Sequence, residues 1–411
     1  MKKKIHLKEI NGILENFFSS KEISDFGRNF PGRDFSETEV LTLSPVNKRQ
    51  IEADIAGTYL KQVQYDVLTT FAEQKLDKFK YISFLLSMGE YLISAGEFSF
   101  AVDIHRKILA ETESEIQFKN IAANALYALG EIFSREAKWL ECFEYTKRAF
   151  NLFKQQNDFK GCARCENLLG SVYGDQGELK EAASHFQESL HYLDEKNDAV
   201  LMGRIENNLG IINNIYSNYD KALFYYNRAL IKFQRLNDHL KIAQIRHNVG
   251  ITYIKKKEYA KALNELDKSI AISLNDSIYS LLGISYVTKA YIYALNEDIE
   301  LSKAFADKAM EICYRTNDKL SVAEIYKVEG MLKRIQKKYL QAESYLKTSL
   351  RINREYRNKL NEAETNLELG ILYKQWKKPD QAWKCFEDSL HYFKKIKAVK
   401  EIENIEQYLN E

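Results

Sequence analysis

The sequence predicts an all-α repeat solenoid of about eight helix pairs, between a helical N-terminal segment and a C-terminal capping helix. Three observations support this fold class. The 411-residue chain has only 3 prolines and 17 glycines, whereas average usage would give about 20 and about 29. Glycines and other small residues recur every forty residues. A large apolar residue stands beside the small ones, as closely packed helix pairs require.

Composition and charge exclude several classes of protein. The scarcity of proline and glycine argues against collagen-like, linker-rich, disordered and turn-rich all-β chains. A chain of this length is too long for one compact core, so several domains or an elongated array are expected. The 60 basic and 58 acidic residues leave a net charge of +2. This balance points to neither nucleic acid nor a membrane surface as the partner.

The ends of the chain and its cysteines favour a cytoplasmic protein. Met1–Lys4 is basic, but no apolar stretch of signal-peptide length follows it. No run of about 18 apolar residues predicts a membrane-spanning helix. The five cysteines are an odd number in a large chain, which suits free thiols in a reducing compartment.

The N-terminal segment, residues 1–77, lacks the forty-residue period. Ile5–Phe18 predicts a short amphipathic helix, and Pro31 and Pro45 bracket a loop rich in Gly, Asp, Ser and Thr. A long helix is expected from residue 47 to about residue 76, where apolar residues recur at helical spacing. The segment is either a helical cap for the array or a separate effector element. It contains no helix-turn-helix pattern that would read DNA.

The array, residues 78–397, is defined by three columns of small residues. Small side chains at fixed places let two helices approach closely. The missing glycine slot is filled by Ala290. The glycines are Gly130, Gly170, Gly210, Gly250, Gly330 and Gly370; alanine follows twelve residues later at Ala182, Ala222, Ala262, Ala342 and Ala382; and Ala or Ser follows nineteen residues later, from Ala149 to Ser389.

Asn-Asp pairs mark the predicted end of each unit. They occur at Asn157-Asp158, Asn197-Asp198, Asn237-Asp238 and Asn317-Asp318. Asparagine tolerates the left-handed conformation that ends a helix, and aspartate caps the start of the next one. Each unit is therefore predicted to be a helix, a short turn, a second helix and a cap.

These columns resemble the tetratricopeptide repeat in its long form, as in kinesin light chain, Pins-type adaptors and Rap-type peptide receptors. The match is carried by Leu169-Gly170 with Tyr173, Ala182, Phe186 and Ser189, and it recurs in the following units. The resemblance implies a right-handed superhelix whose first helices line a concave groove that binds peptides or partner segments. The unit around Ala290 departs most from the pattern, so a local irregularity is expected there. Residues 398–411 are expected to form the capping helix that a terminal repeat needs.

The sequence carries no recognisable catalytic or cofactor motif. No phosphate-binding loop, dinucleotide fingerprint, zinc-protease motif or nucleophile elbow occurs. Cys162 and Cys165 form a C-x-x-C without a second pair to complete a zinc site, so a structural or incidental role is expected. His185 and His191 lie six residues apart on one helix, which does not suit one metal ion. A non-enzymatic protein without metal or cofactor is predicted.

The resemblance places the groove-facing positions six and two residues before each glycine and one residue after it. Asparagine can bind a peptide backbone of any sequence, and arginine can bind carboxylates in a forked geometry. The predicted peptide-binding residues are Arg164, Arg204, Asn208, Ile211, Gln244, Asn248, Ile251 and Tyr291. The far end of the stripe turns acidic at Glu324, Glu364 and Glu368, so a ligand acidic at one end and basic at the other would fit. The alternative is that the arginines and asparagines only pair with neighbouring acids such as Glu166 or Glu206.

Three functions follow from these patterns. The first is a scaffold or adaptor that holds a peptide or partner protein in the groove. The second is a peptide-responsive regulator resembling Rap-type proteins, some of which dephosphorylate response regulators with an N-terminal glutamine; Gln50, Gln62, Gln64 and Gln74 are candidates by residue type. The third is an RNA-associated protein, since Lys255–Lys257, Lys337-Lys338 and Lys377-Lys378 would form a basic edge along the turns.

Overall fold

The chain folds into helix pairs whose start positions repeat every forty residues. A computed structural model describes residues 7–28 and 65–410. All regular elements within these residues are helical, so the predicted all-α repeat solenoid is confirmed. Five successive first helices begin at Ala199, His239, Tyr279, Lys319 and Lys359.

Eight helix pairs, α4 to α19, form the array, and a last helix, α20, follows them. The first four pairs are α4 (Lys78–Ala95) with α5 (Phe98–Thr112), α6 (Lys119–Arg135) with α7 (Trp139–Gln155), α8 (Phe159–Gln176) with α9 (Leu179–His191), and α10 (Ala199–Ile215) with α11 (Tyr219–Arg235). The last four are α12 (His239–Lys255) with α13 (Tyr259–Asn275), α14 (Tyr279–Leu295) with α15 (Ile299–Thr316), α16 (Lys319–Ile335) with α17 (Tyr339–Glu355), and α18 (Lys359–Gln375) with α19 (Pro379–Lys395). Helix α20 spans Val399–Asn410, where the capping helix is expected.

The described residues before the array contain three helical stretches: α1 (Leu7–Glu15), α2 (Ser20–Arg28) and α3 (residues 65–75). Helix α1 lies within the predicted helix Ile5–Phe18, and α3 is the end of the predicted long helix, whose residues 47–64 lie outside the described residues. Helix α2 was not predicted, although its signal is present. Ser19 Oγ accepts from the Glu22 amide at 3.4 Å while Glu22 Oε2 accepts from the Ser19 amide at 2.9 Å, which is a capping box.

The helices group into two compact units, and the boundary between them along the chain falls within α8. Unit 1 ends at Leu169, and unit 2 begins at Gly170. In unit 1 the aromatic rings of Phe18 and Phe71 lie 5.1 Å apart and pack near Phe84, so α3 and the segment before α2 share the core of α4. The division predicted from the sequence, with boundaries at residues 77 and 397, stays a prediction.

The glycine column is the contact surface between the two helices of each pair. In unit 2, a Cβ added at Gly210 would lie 2.5 Å from Cε1 of Tyr226, sixteen residues later on the second helix. The same sixteen-residue relation holds in seven pairs, so small residues at this column are required for the observed helix separation. The facing side chains are His105, Thr146, Phe186, Tyr226, Leu266, Leu346 and Phe386.

The predicted Asn-Asp caps are confirmed at three of four places. Asn157, Asn237 and Asn317 adopt left-handed φ values of 57°, 52° and 55°, and the aspartate that follows each one accepts a hydrogen bond from a backbone amide of the next helix. Asn197 does not adopt this conformation. There, α9 ends early at His191, and hydrogen bonds among Asp194, Asn197 and Asp198 take the place of the last helical turn.

The unit around Ala290 is regular, so the irregularity expected there is wrong for the helix bounds. Helices α14 and α15 begin at the same forty-residue intervals as their neighbours. The Ser302 hydroxyl donates to the Ala290 carbonyl at 2.8 Å, and the rings of Tyr293 and Phe305 stack at 5.5 Å. Alanine and serine are small enough to replace the usual glycine and alanine without separating the helices.

The first helices of unit 2 contact one another in succession, from α10 through α12, α14 and α16 to α18. They therefore form the inner layer of unit 2, as the groove prediction requires. Unit 2 also closes on itself, because the α8–α9 turn at Gly177 lies against Ile396 in the α19–α20 turn. No helix among the described residues combines the length and apolar composition needed to cross a bilayer.

Replacement of Gly210 by alanine is expected to destabilise the protein by about 1–3 kcal/mol, because the new methyl group would overlap the buried ring of Tyr226. Gly174→Ala is the matched control, since its Cβ would lie 4.0 Å from Ala182 Cβ, an ordinary contact. Alanine favours helix by up to about 1 kcal/mol over glycine, so the control should be neutral or stabilised. Urea unfolding followed by circular dichroism measures both; equal midpoints would contradict the packing argument.

Candidate functional site

Unit 2 contains a partly open cavity of about 1260 Å³ beside its layer of first helices. We call it the inner cavity. Its wall includes the end of α12 with the turn that follows it, the inner faces of α14, α16 and α18, and one side of α20. Tyr219 at the start of α11, Tyr259 at the start of α13 and Phe393 on α19 also line it. The space exceeds the roughly 300–1,000 Å³ typical of small-molecule sites.

Cations outnumber acids on the wall of the inner cavity. Because lysine and arginine side chains from separate helices line one cavity, the wall favours anionic groups. The seven cations are Lys255, Lys256, Lys257, Lys327, Arg334, Lys374 and Lys400, and the four acids are Glu364, Glu368, Glu401 and Glu403.

Lys327 is the most buried of these cations, with a side chain only 5% exposed. Its Nζ lies 2.6 Å from Glu324 Oε2 and 2.7 Å from Glu364 Oε2. Burial by itself would lower the pKa of Lys327, but the two carboxylates outweigh burial and raise it. Burial would likewise raise the pKa of Glu364, but Lys327 outweighs it and lowers that pKa. Lys327 therefore stays charged and joins α16 to α18.

A second ion pair lies on the same wall, where Arg334 Nη2 is 3.3 Å from Glu368 Oε2. Burial raises the pKa of the Glu368 carboxyl, and Arg334 only partly offsets this. Burial also raises the pKa of the Tyr291 phenol, which stays neutral. Tyr291 thus offers a neutral hydroxyl next to two ion pairs.

The structure brings one of the eight predicted binding residues, Tyr291, into the wall of the inner cavity. The six others in unit 2 lie on the first helices α10 and α12, away from that wall. Arg204 is exposed, and neither it nor Asn208 forms a hydrogen bond or ion pair with the described part of the chain. Ile211 is 37% exposed and Ile251 is partly exposed.

Two of the predicted amides are engaged by neighbours. Gln244 Oε1 accepts from Lys241 Nζ at 3.0 Å. Asn248 Nδ2 donates to Asn207 Oδ1 at 3.0 Å, so Asn248 links α12 to α10 through an amide rather than through a neighbouring acid.

Arg164 lies in unit 1 and is held by that unit. Its Nη1 donates to Asn124 Oδ1 at 2.9 Å, and its guanidinium lies 4.0 Å from the centre of the Tyr127 ring. The alternative of a passive ladder named Glu206 as an acidic partner for the arginines. Glu206 is instead fully buried and paired with Lys232 and Arg228.

The acidic end predicted for the groove is internally neutralised, because Glu324, Glu364 and Glu368 are paired with Lys327 and Arg334. Sequence reasoning missed these two cations, which lie three residues before and four residues after Gly330. The signal was available, since Lys327 follows Glu324 by three residues and so shares its helix face.

The C-x-x-C cysteines and His247 are buried, and burial keeps each of them in its neutral form. Cys162 and Cys165 are buried free thiols, and burial raises the pKa of both. His247 is buried beside Ser285, with 3.2 Å between Nδ1 and Oγ, and burial lowers its pKa to about 4. No cluster of potential metal ligands occurs within residues 7–28 and 65–410.

The predicted basic edge divides into two parts. Lys255, Lys256 and Lys257 line the inner cavity, and the first two are paired with Glu401 and Asp220. The lysines of the later turns do not line it. Lys378, for example, lies 3.3 Å from the centre of the Trp376 ring.

Comparisons with known proteins agree with the repeat architecture. A tetratricopeptide repeat family model matches residues 121–193, 201–275 and 322–395, together more than half of the chain. The unit around Ala290 falls between the last two matches. No curated protein sequence matches the chain.

Solved structures with the same fold share little sequence with the chain. Aspartyl phosphate phosphatase F from Bacillus subtilis is 11% identical with a TM-score of 0.60, over 98% of this chain and 97% of that one. A Rap protein complexed with competence and sporulation factor is 13% identical with a TM-score of 0.55, over 80% and 96%. A signal-transduction ATPase with a tetratricopeptide repeat sensor from Pyrococcus horikoshii is 14% identical with a TM-score of 0.52, over 84% and 55%.

Lys327→Met is expected to destabilise the protein by about 2–3 kcal/mol, because it leaves two carboxylates without their cation. The loss is below that of a fully buried pair, since the Glu364 side chain is 38% exposed. Without Lys327, the pKa values of both acids in the folded protein rise above the unfolded value of about 4.3. The destabilisation is therefore largest at neutral pH and shrinks as the pH falls towards 5.

Lys289→Met is the control, because its partner Asp267 is 59% exposed and is left in water. It should cost about 1 kcal/mol or less, with little dependence on pH. Thermal unfolding between pH 5 and pH 8 measures both variants. A loss for Lys327→Met that is the same at all pH values would contradict the role of the two carboxylates.

Proposed function

The chain belongs to the tetratricopeptide repeat family, and we propose that it is a non-enzymatic receptor that holds an acidic peptide or partner segment in the inner cavity of unit 2. The observation that carries this proposal is the wall of that cavity, where cations from α12, α16, α18 and α20 line one space. The volume suits several peptide residues better than a single metabolite. A scaffold or adaptor is the simplest role for such a receptor.

The chemistry of the wall favours a carboxylate-bearing ligand. The Lys257 side chain is exposed and makes no ion pair or hydrogen bond with the described part of the chain, so its charge is available. Lys327 and Arg334 are already paired with glutamates on α16 and α18. They therefore add to the electrostatic potential of the cavity but do not offer unpaired groups to a ligand. Apolar residues, including Met331, Leu367 and Ile371, line the same space and can cover aliphatic side chains.

The predicted stripe on α10 and α12 supplies a second contact surface in this proposal. Arg204 and Asn208 keep their full hydrogen-bonding capacity, and Ile211 adds an exposed apolar side chain. Gln244, Asn248 and Ile251 extend the stripe onto the next first helix. Arg164, which is held by Asn124 and Tyr127, and Tyr291, on the cavity wall, complete the proposed residues.

Selection from a displayed library of random short peptides tests the proposal on the full chain. We expect wild-type protein to enrich acidic sequences. Lys257→Glu should weaken binding of the selected peptides about tenfold, because a repelling charge replaces an attracting one at the cavity wall. Fluorescence anisotropy at low and high salt measures the change, and the difference should narrow as salt screens the charges.

Lys337→Glu is the matched control. Lys337 and Lys257 occupy the same turn position in their units, with left-handed φ values of 59° and 60°, but Lys337 does not line the cavity. The control should bind the peptides like wild type, and Arg204→Ala/Asn208→Ala should weaken binding if the stripe also contacts them. Enrichment of no peptide, or equal loss in both lysine variants, would contradict binding in the inner cavity.

A peptide-responsive regulator is the second candidate. It is supported by structural similarity to aspartyl phosphate phosphatase F over 98% of this chain, and to a Rap protein complexed with competence and sporulation factor. Of the four candidate glutamines, Gln74 is exposed on α3, and Gln50, Gln62 and Gln64 lie outside the described residues. A regulator should change hydrogen exchange in α1, α2 and α3 when a selected peptide binds, whereas a scaffold should not.

A further inference from the structure

Helix α11 differs from the other second helices of unit 2 in what it exposes. On its outer face Phe224 is 55% exposed and Ile231 is 49% exposed. They lie seven residues apart and therefore on the same side of the helix. The equivalent positions in the other pairs of unit 2 are polar or alanine: Ser184, Asn264, Ala304, Ser344 and Lys384 for Phe224, and His191, Ala271, Glu311, Arg351 and His391 for Ile231.

The inner side of α11 carries a charge where its equivalents are apolar. The Lys232 side chain is only 7% exposed, and its Nζ lies 3.0 Å from Oε1 of the fully buried Glu206 on α10. Replacing such a buried ion pair by well-packed apolar residues is often neutral or stabilising, so stability alone does not account for it. The equivalents of Lys232 are Tyr192, Ile272, Ile312, Ile352 and Tyr392.

The same buried carboxylate holds an arginine on the outer face of α11. Arg228 Nε lies 2.8 Å from Glu206 Oε1, and the Arg228 side chain is still 42% exposed. Its guanidinium lies 5.7 Å from the centre of the Phe224 ring. Aromatic residues and arginine dominate the energetics of many interfaces, and side chains that are already held in place lose less entropy on binding. The middle of α11 therefore has the composition of an interaction surface.

The two ends of this surface carry opposite charges. Asp220 is 93% exposed; its Oδ1 accepts from Lys256 at 2.7 Å, and its Oδ2 has no hydrogen bond to the described part of the chain. Arg235 is exposed and forms no ion pair with that part of the chain. Asp220 precedes Phe224 by four residues, and Arg235 follows Ile231 by four. The spacing is thus the same in both directions. We call Asp220, Phe224, Arg228, Ile231 and Arg235 the α11 face.

We propose that the α11 face binds the α11 face of a second copy of the chain, with the two helices antiparallel about a two-fold axis. An axis midway between Phe224 and Ile231 places Phe224 of each copy against Ile231 of the other. The same axis places Asp220 of each copy against Arg235 of the other. This charge complementarity between the two ends of one helix identifies a second copy as the partner.

The buried ion cluster has a role in this dimer. The Arg228 side chains of both copies lie next to the two-fold axis, where unpaired cations would repel each other. Glu206 neutralises each of them from below. One helix face is smaller than the roughly 1,200–2,000 Å² interface of a stable complex, so the dimer is weak and reversible. Because α11 lines the inner cavity only with Tyr219, the dimer does not depend on the proposed function.

Sedimentation velocity of the full chain at increasing concentration tests the dimer. Wild type should pass from monomer to dimer between about 1 and about 100 μM. Ile231→Glu should raise the dimer Kd about a hundredfold, because the two-fold axis doubles the loss of each apolar contact. Leu340→Glu is the matched control, since Leu340 is 72% exposed on α17, and it should dimerise like wild type. A wild-type monomer at every concentration, or equal loss in both variants, would overturn the proposal.

Two charge reversals test the antiparallel arrangement. Asp220→Arg gives two cations at each end contact, and Arg235→Asp gives two carboxylates, so each variant alone should dimerise about tenfold less tightly than wild type. An equimolar mixture of the two variants should regain the wild-type affinity, because both end contacts of the mixed dimer then pair an arginine with an aspartate. A mixture that associates as weakly as the separate variants would overturn this dimer.

Discussion

Close approach of the two helices in each pair is the constraint on which the rest of the structure depends. At Gly210 and its equivalents, the first helix packs directly on a large side chain sixteen residues later. This contact sets how each pair presents its first helix to the next pair. Repetition of this one helix-to-helix distance produces the inner layer from α10 to α18. The inner cavity lies beside that layer.

Much of this architecture could be predicted because it depends on residues that recur at fixed spacing and contact only nearby helices. The glycines, the alanines and the Asn-Asp caps act within one pair or between neighbours, and such contacts recur at fixed spacing. Closure of unit 2 could not be predicted in the same way. Whether Gly177 meets Ile396 depends on small rotations added up over many pairs, and no single column encodes that sum.

The candidate site was likewise predicted only in part from the sequence. Five positions of the predicted stripe, Tyr291, Met331, Glu364, Glu368 and Ile371, line the inner cavity, but the rule treats every first helix alike. Helix α18 lines the inner cavity along most of its length, whereas α12 lines it only with Ile254 and Lys255. The acids appeared to be a ligand surface because their cations, Lys327 and Arg334, lie outside the three positions of the rule. The sequence therefore predicts an acidic end of the groove where the structure has a cavity lined by more cations than acids.

The closure of unit 2 has a consequence for cooperativity. A repeat array whose contacts join only neighbours unfolds in partly independent steps, and its end repeats fray first. Gly177 lies against Ile396 near the two ends of unit 2, and the Lys255–Glu401 pair links residues that are 146 positions apart, so the first and last repeats of unit 2 support each other. Fraying at one end must break contacts with the other, and this couples repeats that never touch. Unit 2 is therefore built to unfold in a single transition, while its folding must wait for the chain to bring its two ends together.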